Sequence, residues 1–194
     1  MTKIYFGVLL LGVALFSGCG STVDNSEVQY RSDGKVYLLN KSKPFSGTVE
    51  GYYDNKQLDF SEEYSDGVLD GERKAFYNTG AKRFLEYYDN GVLDGEQTVW
   101  FGNGDIKIKG EWENGKKVGK WQEFDVEAAY PFLESHLLGC IEKGEYKKYK
   151  REGEWTRKCV LTLGVGLQTI ETCKYEYKDG KGKKIKCETK NIGI

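Results

Sequence analysis

Histidine and methionine each occur once in 194 residues, and proline occurs twice. Net charge is equally scarce: 29 Lys and Arg stand against 30 Asp and Glu. Each scarcity excludes something. The one histidine, His136, would have to serve any Ser-His-Asp or Cys-His arrangement, yet it stands beside Leu137 and Leu138, where a helix-face histidine is the simpler reading. A near-zero net charge excludes a nucleic-acid binder by bulk charge. No CxxC pair accompanies the lone histidine, so a zinc site has no spacing to rest on. The glycines are spaced along the chain instead of clustering before a helix, which excludes a phosphate loop. Carboxylate pairs such as Glu62-Glu63 lack an inferable cleft. The chain reads as a non-enzyme, with no cofactor and no metal.

Long apolar runs are also missing. The longest, Ile4 to Phe16, has 13 residues, too short to span a bilayer as a helix and the right length for a signal segment behind Lys3. It ends in Leu15-Phe16-Ser17-Gly18-Cys19. These residues resemble the lipobox of bacterial lipoproteins. The resemblance implies cleavage of residues 1–18, diacylglycerol on the Cys19 thiol and an acyl chain such as palmitate on its new amine, which together make a stable anchor. The alternative is an ordinary signal peptide cut nearby. Gly20 stands where an Asp would signal inner-membrane retention. An outer-membrane destination follows if the host has two membranes, and the outer face of the cell membrane if it has one. Residues 19–27 are small and polar and are expected to form a flexible tether.

What is abundant is aromatic residues and glycine: 14 Tyr, 9 Phe, 4 Trp and 25 Gly. Together they favour strands and tight turns. They are also periodic. GTVEGYYDNKQLDFSEEYSDGVLD, GERKAFYNTGAKRFLEYYDNGVLD and GEQTVWFGNGDIKIKGEWENGKKV follow one another from Gly47, Gly71 and Gly95, a period of 24, and Gly119 opens a fourth unit. Tyr52, Phe76, Trp100 and Phe124 occupy position 6; Tyr64, Tyr88 and Trp112 occupy position 18. A fixed period signals a repeat architecture, in which each unit buries its apolar surface against its neighbours. Each unit holds two strand-sized halves separated by turn residues, including Asp66-Gly67, Asn90-Gly91, Asn103-Gly104 and Asn114-Gly115. The expected fold is all-β: an elongated antiparallel meander with one strand per half-repeat. Gly67, Gly91 and Gly115 serve its turns, the position-6 and position-18 aromatics stack as core ladders, and the alternating Lys and Glu form a solvated face. Residues 28–46 are expected to be a capping hairpin.

The rhythm Y-x-(D/N)-G-x-x-x-G-(E/K)-x-x-x-(Y/F/W) fits Tyr64 to Phe76, Tyr88 to Trp100 and Trp112 to Phe124. Over about residues 30–124 it resembles the MORN-repeat variant of bacterial proteins labelled YwqK-type antitoxins. The resemblance implies the repeat fold, and an antitoxin role only through that label.

Past residues 47–124 the period fails. Residues 125–139 are expected to form a short helical insertion: Phe132, Leu133 and Leu137 have helical spacing, Pro131 can open the helix and Gly139 can close it. The rhythm resumes at Gly144 and Gly153, and a second expansion, expected as a loop, covers 160–172. Residues 140–194 are expected to be divergent repeats and a cap held by disulfides. Cys140, Cys159, Cys173 and Cys187 are the cysteines left beside Cys19, an even number suited to an oxidising compartment. Pairs 140/159 and 173/187 are symmetric about the turn-like stretches near Lys150 and Gly180, but 159/173 is symmetric about the Gly164–Gly166 turn. The first pairing is favoured.

Charge is uneven. Residues 19–139 hold 14 basic and 22 acidic side chains, a net of −8, whereas residues 140–194 hold 14 and 8, a net of +6. The expected function is a lipid-anchored scaffold that binds a protein partner in the envelope. Its insertion residues Tyr130, Phe132, His136 and Leu137 form the candidate partner surface. Two alternatives are an immunity protein that neutralises a toxin in the envelope, and a structural or glycan-contacting lipoprotein.

Overall fold

The computed structural model describes residues 20–125, 135–163 and 167–193. Nearly all of them lie in one antiparallel meander. Its strands are β4 (Gly47–Tyr52), β5 (Leu58–Ser65), β6 (Val68–Phe76), β7 (Lys82–Asp89), β8 (Val92–Leu93), β9 (Gly95–Trp100), β10 (Ile106–Glu113) and β11 (Lys116–Asp125). They continue as β12 (Ser135–Lys147), β13 (Lys150–Leu163), β14 (Leu167–Lys178) and β15 (Lys181–Gly193). Each pairs with the next in sequence, apart from the two-residue β8, which pairs beside β7. One strand per half-repeat is what the 24-residue period requires.

The period is written into the turns. Asp66-Gly67, Asn90-Gly91 and Asn114-Gly115 all have positive φ at both residues, the type I′ geometry that matches strand twist. Asn103-Gly104 differs: only Gly104 has positive φ, so this hairpin uses a wider loop. Each type I′ turn is also tied to the turn one unit earlier. The amides of Gly67, Gly91 and Gly115 donate to the carbonyls of Phe45, Leu69 and Leu93. The amides of Asp66, Asn90 and Asn114 donate to the side chains of Ser46, Asp70 and Asp94. Phe45 and Ser46 thus occupy the places that later units give to Leu and Asp. The cap imitates the end of a repeat.

The N-terminal end keeps the expected hairpin but not the tether. β1 (Ser21–Asp24) pairs in parallel with β4, Ser21 opposite Gly47 through Asp24 opposite Glu50. Ser21–Asp24 is therefore strand, which corrects the flexible tether. A 3-10 turn, Asn25–Glu27, follows and is closed by a capping box from Asp24 and Glu27. β2 (Val28–Tyr30) and β3 (Val36–Leu38) pair antiparallel as a separate two-stranded sheet. Val28, Val36, Phe45 and Val49 are buried together there, with Phe60 and Tyr64 packed against them. This is the one apolar cluster built as a conventional core among the described residues.

The helical insertion is corrected as well over its described end, while residues 126–134 lie outside the described residues. Ser135–Gly139 belongs to β12, and His136 and Leu137 pair in register with Thr162 and Leu161 of β13. The apolar spacing that fits a helix serves here as strand, because the second expansion supplies the partner. That expansion is not a loop on its described residues: Val160–Leu163 ends β13 and Leu167–Thr172 begins β14. The two departures from the period are one feature, a lengthening of β12–β15 to 13, 14, 12 and 13 residues. Residues 1–19, Tyr130, Pro131 and Phe132 lie outside the described residues. Cys140 is bonded to Cys159 and Cys173 to Cys187, each a register pair on neighbouring strands, with Cα atoms 4.1 and 4.0 Å apart.

Candidate interaction surface

Side chains alternate along each strand, so register assigns every residue to a face. One face, the front, carries Phe60, Ala75, Phe84, Val99, Ile108, Glu123, Glu142, Arg157, Cys173 and Cys187 as one row of partners across ten strands. The row begins apolar, becomes charged at Glu123 and ends in a disulfide.

Beside it runs a polar network made by positions 3, 16 and 18 of the repeat. Arg73 (position 3) donates from Nε to Glu62 at 2.8 Å and from Nη1 to Glu86 at 3.2 Å, both position 16. The Tyr64 hydroxyl donates to Glu62 at 2.7 Å and the Tyr88 hydroxyl to Glu86 at 3.2 Å. Gln97, the next position 3, donates to Glu86 at 2.7 Å and accepts from the Trp112 indole at 3.1 Å. Glu86 is 8% exposed, so charge is buried here on the same face as the aromatics. Burial, and then the bond to Glu62, push the Tyr64 phenol far above its ordinary range. Burial alone would lower the Arg73 guanidinium, but the hydrogen bond and charge of Glu62 outweigh it and raise it.

From Trp112 onward the chemistry at these positions changes. Gly110 stands where Glu62 and Glu86 stood, and Trp121 where Arg73 and Gln97 stood. A Cβ on Gly110 would overlap the Trp121 ring, and one on Gly144 the Trp155 ring. The indoles lie on bare backbone and are 2% and 1% exposed. An aromatic chain results: Trp112 to Trp121 at 5.4 Å, Trp121 to Tyr146 at 6.0 Å, Tyr146 to Trp155 at 5.3 Å and Trp155 to Tyr177 at 5.9 Å, all edge to face. Pairs of this kind add about 0.5–1.5 kcal/mol each beyond area burial.

Cations cover the chain. Lys117 lies 4.3 Å from the Trp121 ring centre and pairs with Glu123. The Arg151 guanidinium lies 4.2 Å over Trp155 and pairs with Glu142 at 2.8 Å and Glu123 at 3.6 Å. Burial would lower Arg151, but bonds to Tyr146 and Tyr177 and the charge of Glu142 raise it. Arg157 approaches Glu142 at 3.7 Å from the other side.

The scaffold residues read from the sequence are thus distributed differently from the expected ladders. Of the position-18 aromatics, Tyr64 and Tyr88 join the polar network and Trp112 starts the aromatic chain. Of position 6, Tyr52 is 52% exposed, while Phe76, Trp100 and Phe124 are half-buried. Gly47, Gly71, Gly95 and Gly119 have positive φ, and Gly71, Gly95 and Gly119 sit where the pairing register slips. Positions 3 and 16 were missed. The signal was available: Arg73 is flanked on the neighbouring strands by Glu62 and Glu86, and Gly replaces Glu where Trp replaces Arg.

Among the described residues, Glu171, Cys173 and Cys187 bring metal-type donors together, but both thiols are spent in the disulfide, leaving one carboxylate. What the fold and surface define is a class: an antiparallel repeat sheet whose front face, past the N-terminal hairpin, is a continuous strip of half-buried charge and aromatic rings. No protein-family model matches the chain, and no curated protein matches it.

Proposed function

We propose that the chain is a non-enzymatic, lipid-anchored scaffold of the cell envelope, built on MORN-like repeats, that binds a protein partner through the front face. The observation that carries this reading is the half-buried strip of Tyr64, Tyr88, Trp112, Tyr146, Arg151 and Tyr177. Arg, Trp and Tyr are the residues most enriched at the centres of protein interfaces, and here they are held in place by cross-strand pairs before any partner arrives. Pre-ordering of this kind lowers the entropy cost of association. The anchor at Cys19 supplies location and belongs to the same proposal.

The full chain, immobilised in detergent, is expected to retain a defined envelope protein. Changing Tyr88 and Tyr146 to Lys is expected to abolish retention while far-ultraviolet circular dichroism stays unchanged. Equal retention by the variant would overturn the front-face reading. Cys19→Ala is expected to leave the chain unprocessed and out of the lipoprotein pool labelled by radioactive palmitate; unchanged labelling would overturn the anchor.

A further inference from the structure

The opposite, back face carries its own register row. Thr98, Lys109, Gln122, Lys143, Thr156, Lys174 and Lys186 are consecutive partners across seven neighbouring strands. From Lys109 to Lys186 every residue is Lys, Gln or Thr, on strands spaced roughly 4.8 Å apart. Lys109, Lys143 and Lys174 therefore repeat at about 9.6 Å along a straight line. All three are exposed.

The row crosses a groove of about 520 Å³ where Lys109, Gln122 and Lys143 meet Lys120, Trp121, Glu145 and Glu154. Beside it the pairing of β12 with β13 slips between Lys143 and Glu145. That volume lies within the usual range of ligand sites, about 300–1,000 Å³. Lys174 is already paired with Glu154 at 3.1 Å, while Lys109, Lys120 and Lys143 bring three ammonium groups to one groove. Gln122 and the two carboxylates add the donor and acceptors that hydroxyl groups require.

We infer that this groove and its row bind a linear anionic glycan laid across the strands. Regularly spaced ammonium groups on a straight line match a polymer with one negative charge per repeat. The intervening Gln and Thr match its hydroxyls. A peptide would need apolar anchors, and the row from Lys109 to Lys186 has none. A single-stranded nucleic acid would need exposed stacking rings, and the ring that lines this groove, Trp121, is 2% exposed. The inference goes beyond the protein-binding reading and uses the other side of the sheet, so front-face variants leave it untouched.

The test is binding of polygalacturonate by the full chain in detergent at low salt, followed by calorimetry. Neutral dextran and phosphatidylglycerol vesicles serve as comparison arms. The chain is expected to bind polygalacturonate and not dextran. K109Q/K120Q/K143Q is expected to weaken binding about tenfold or more, whereas K43Q/K178Q/K181Q, which removes the same charge elsewhere, changes it by less than about twofold. Three outcomes overturn the inference: no binding of polygalacturonate, equal loss in both triple variants, or binding to the vesicles alone.

Discussion

Gly144→Ala is the sharpest probe of how this sheet is held together. Gly144 has ordinary negative-φ or extended backbone, since it is absent from the positive-φ glycines. Alanine would therefore be favoured at this position by about 0.5–1 kcal/mol on conformational grounds alone. Its methyl, however, would fall inside the Trp155 ring. The ring has nowhere to go. Its indole N–H donates to the Glu145 carbonyl at 3.2 Å, Tyr146 and Tyr177 flank it, and Arg151 lies over it. Overpacking of this kind costs about 1–3 kcal/mol, so the net loss should be about 1–2 kcal/mol. For a chain of this size that lowers Tm by about 3–6 °C. Trp155→Ala alone should cost about 3–5 kcal/mol. Placed on that background, Gly144→Ala meets no ring and should become neutral or stabilising. Urea unfolding of the four proteins, followed by far-ultraviolet circular dichroism, reads the cycle. The same destabilisation in both backgrounds would refute the claim that the indole occupies the space of a missing side chain.

Three further perturbations separate the other stabilising elements. Arg73→Met leaves Glu62 and Glu86 facing each other without a cation; because Arg73 is about one-third exposed, the expected cost is about 2 kcal/mol, below the value for a fully buried pair. The triple change R73M/E62Q/E86Q should recover most of it, and failure to recover would show that packing, not charge, was lost. Replacing Cys173 and Cys187 by Ser opens a link with sequence separation 14 and should cost about 3 kcal/mol in urea unfolding, with an alkylation assay showing that Cys140 and Cys159 stay blocked. Tyr64 and Tyr88, the latter next to the exposed Tyr87, have phenols raised above their ordinary range, chiefly by burial. They stay neutral in the fold while the unfolded chain ionises near about pH 10, so the stability they contribute is complete below that pH and declines as pH rises above it. Absorbance at 295 nm should show these phenols ionising together with unfolding; a titration completed before any loss of circular dichroism would contradict this.

Much of the meander was legible because the repeat states it several times. Asp-Gly and Asn-Gly at a 24-residue spacing demand one type I′ turn per unit, and a second, wider turn in each unit leaves room for two strands. The cysteines were legible for a related reason: 140/159 and 173/187 straddle turns at Lys148-Tyr149 and Asp179-Gly180, both with positive φ. Local signals failed where pairing is long-range. Ser21–Asp24 is small and polar and has no strand pattern of its own; it becomes strand because β4 offers an open edge to a parallel neighbour. Ser135–Gly139 has helical spacing, yet the facing residues Val160–Leu163 make it strand. The front-face network was hidden by reading aromatics down fixed positions. The chain of rings joins position 18 to position 3, which are near each other only after the strands pair.

Those adjacent tyrosines of β7 also separate the two faces. Tyr88 lies on the front with Glu86, and Tyr87 lies on the back, its hydroxyl directed to Glu72 at 3.4 Å. The most direct measurement of the central claim is photo-crosslinking in living cells with benzoylphenylalanine at one or the other. The account predicts a discrete protein adduct from position 88 and none from position 87. An adduct from position 87 alone, or none from either, would contradict it.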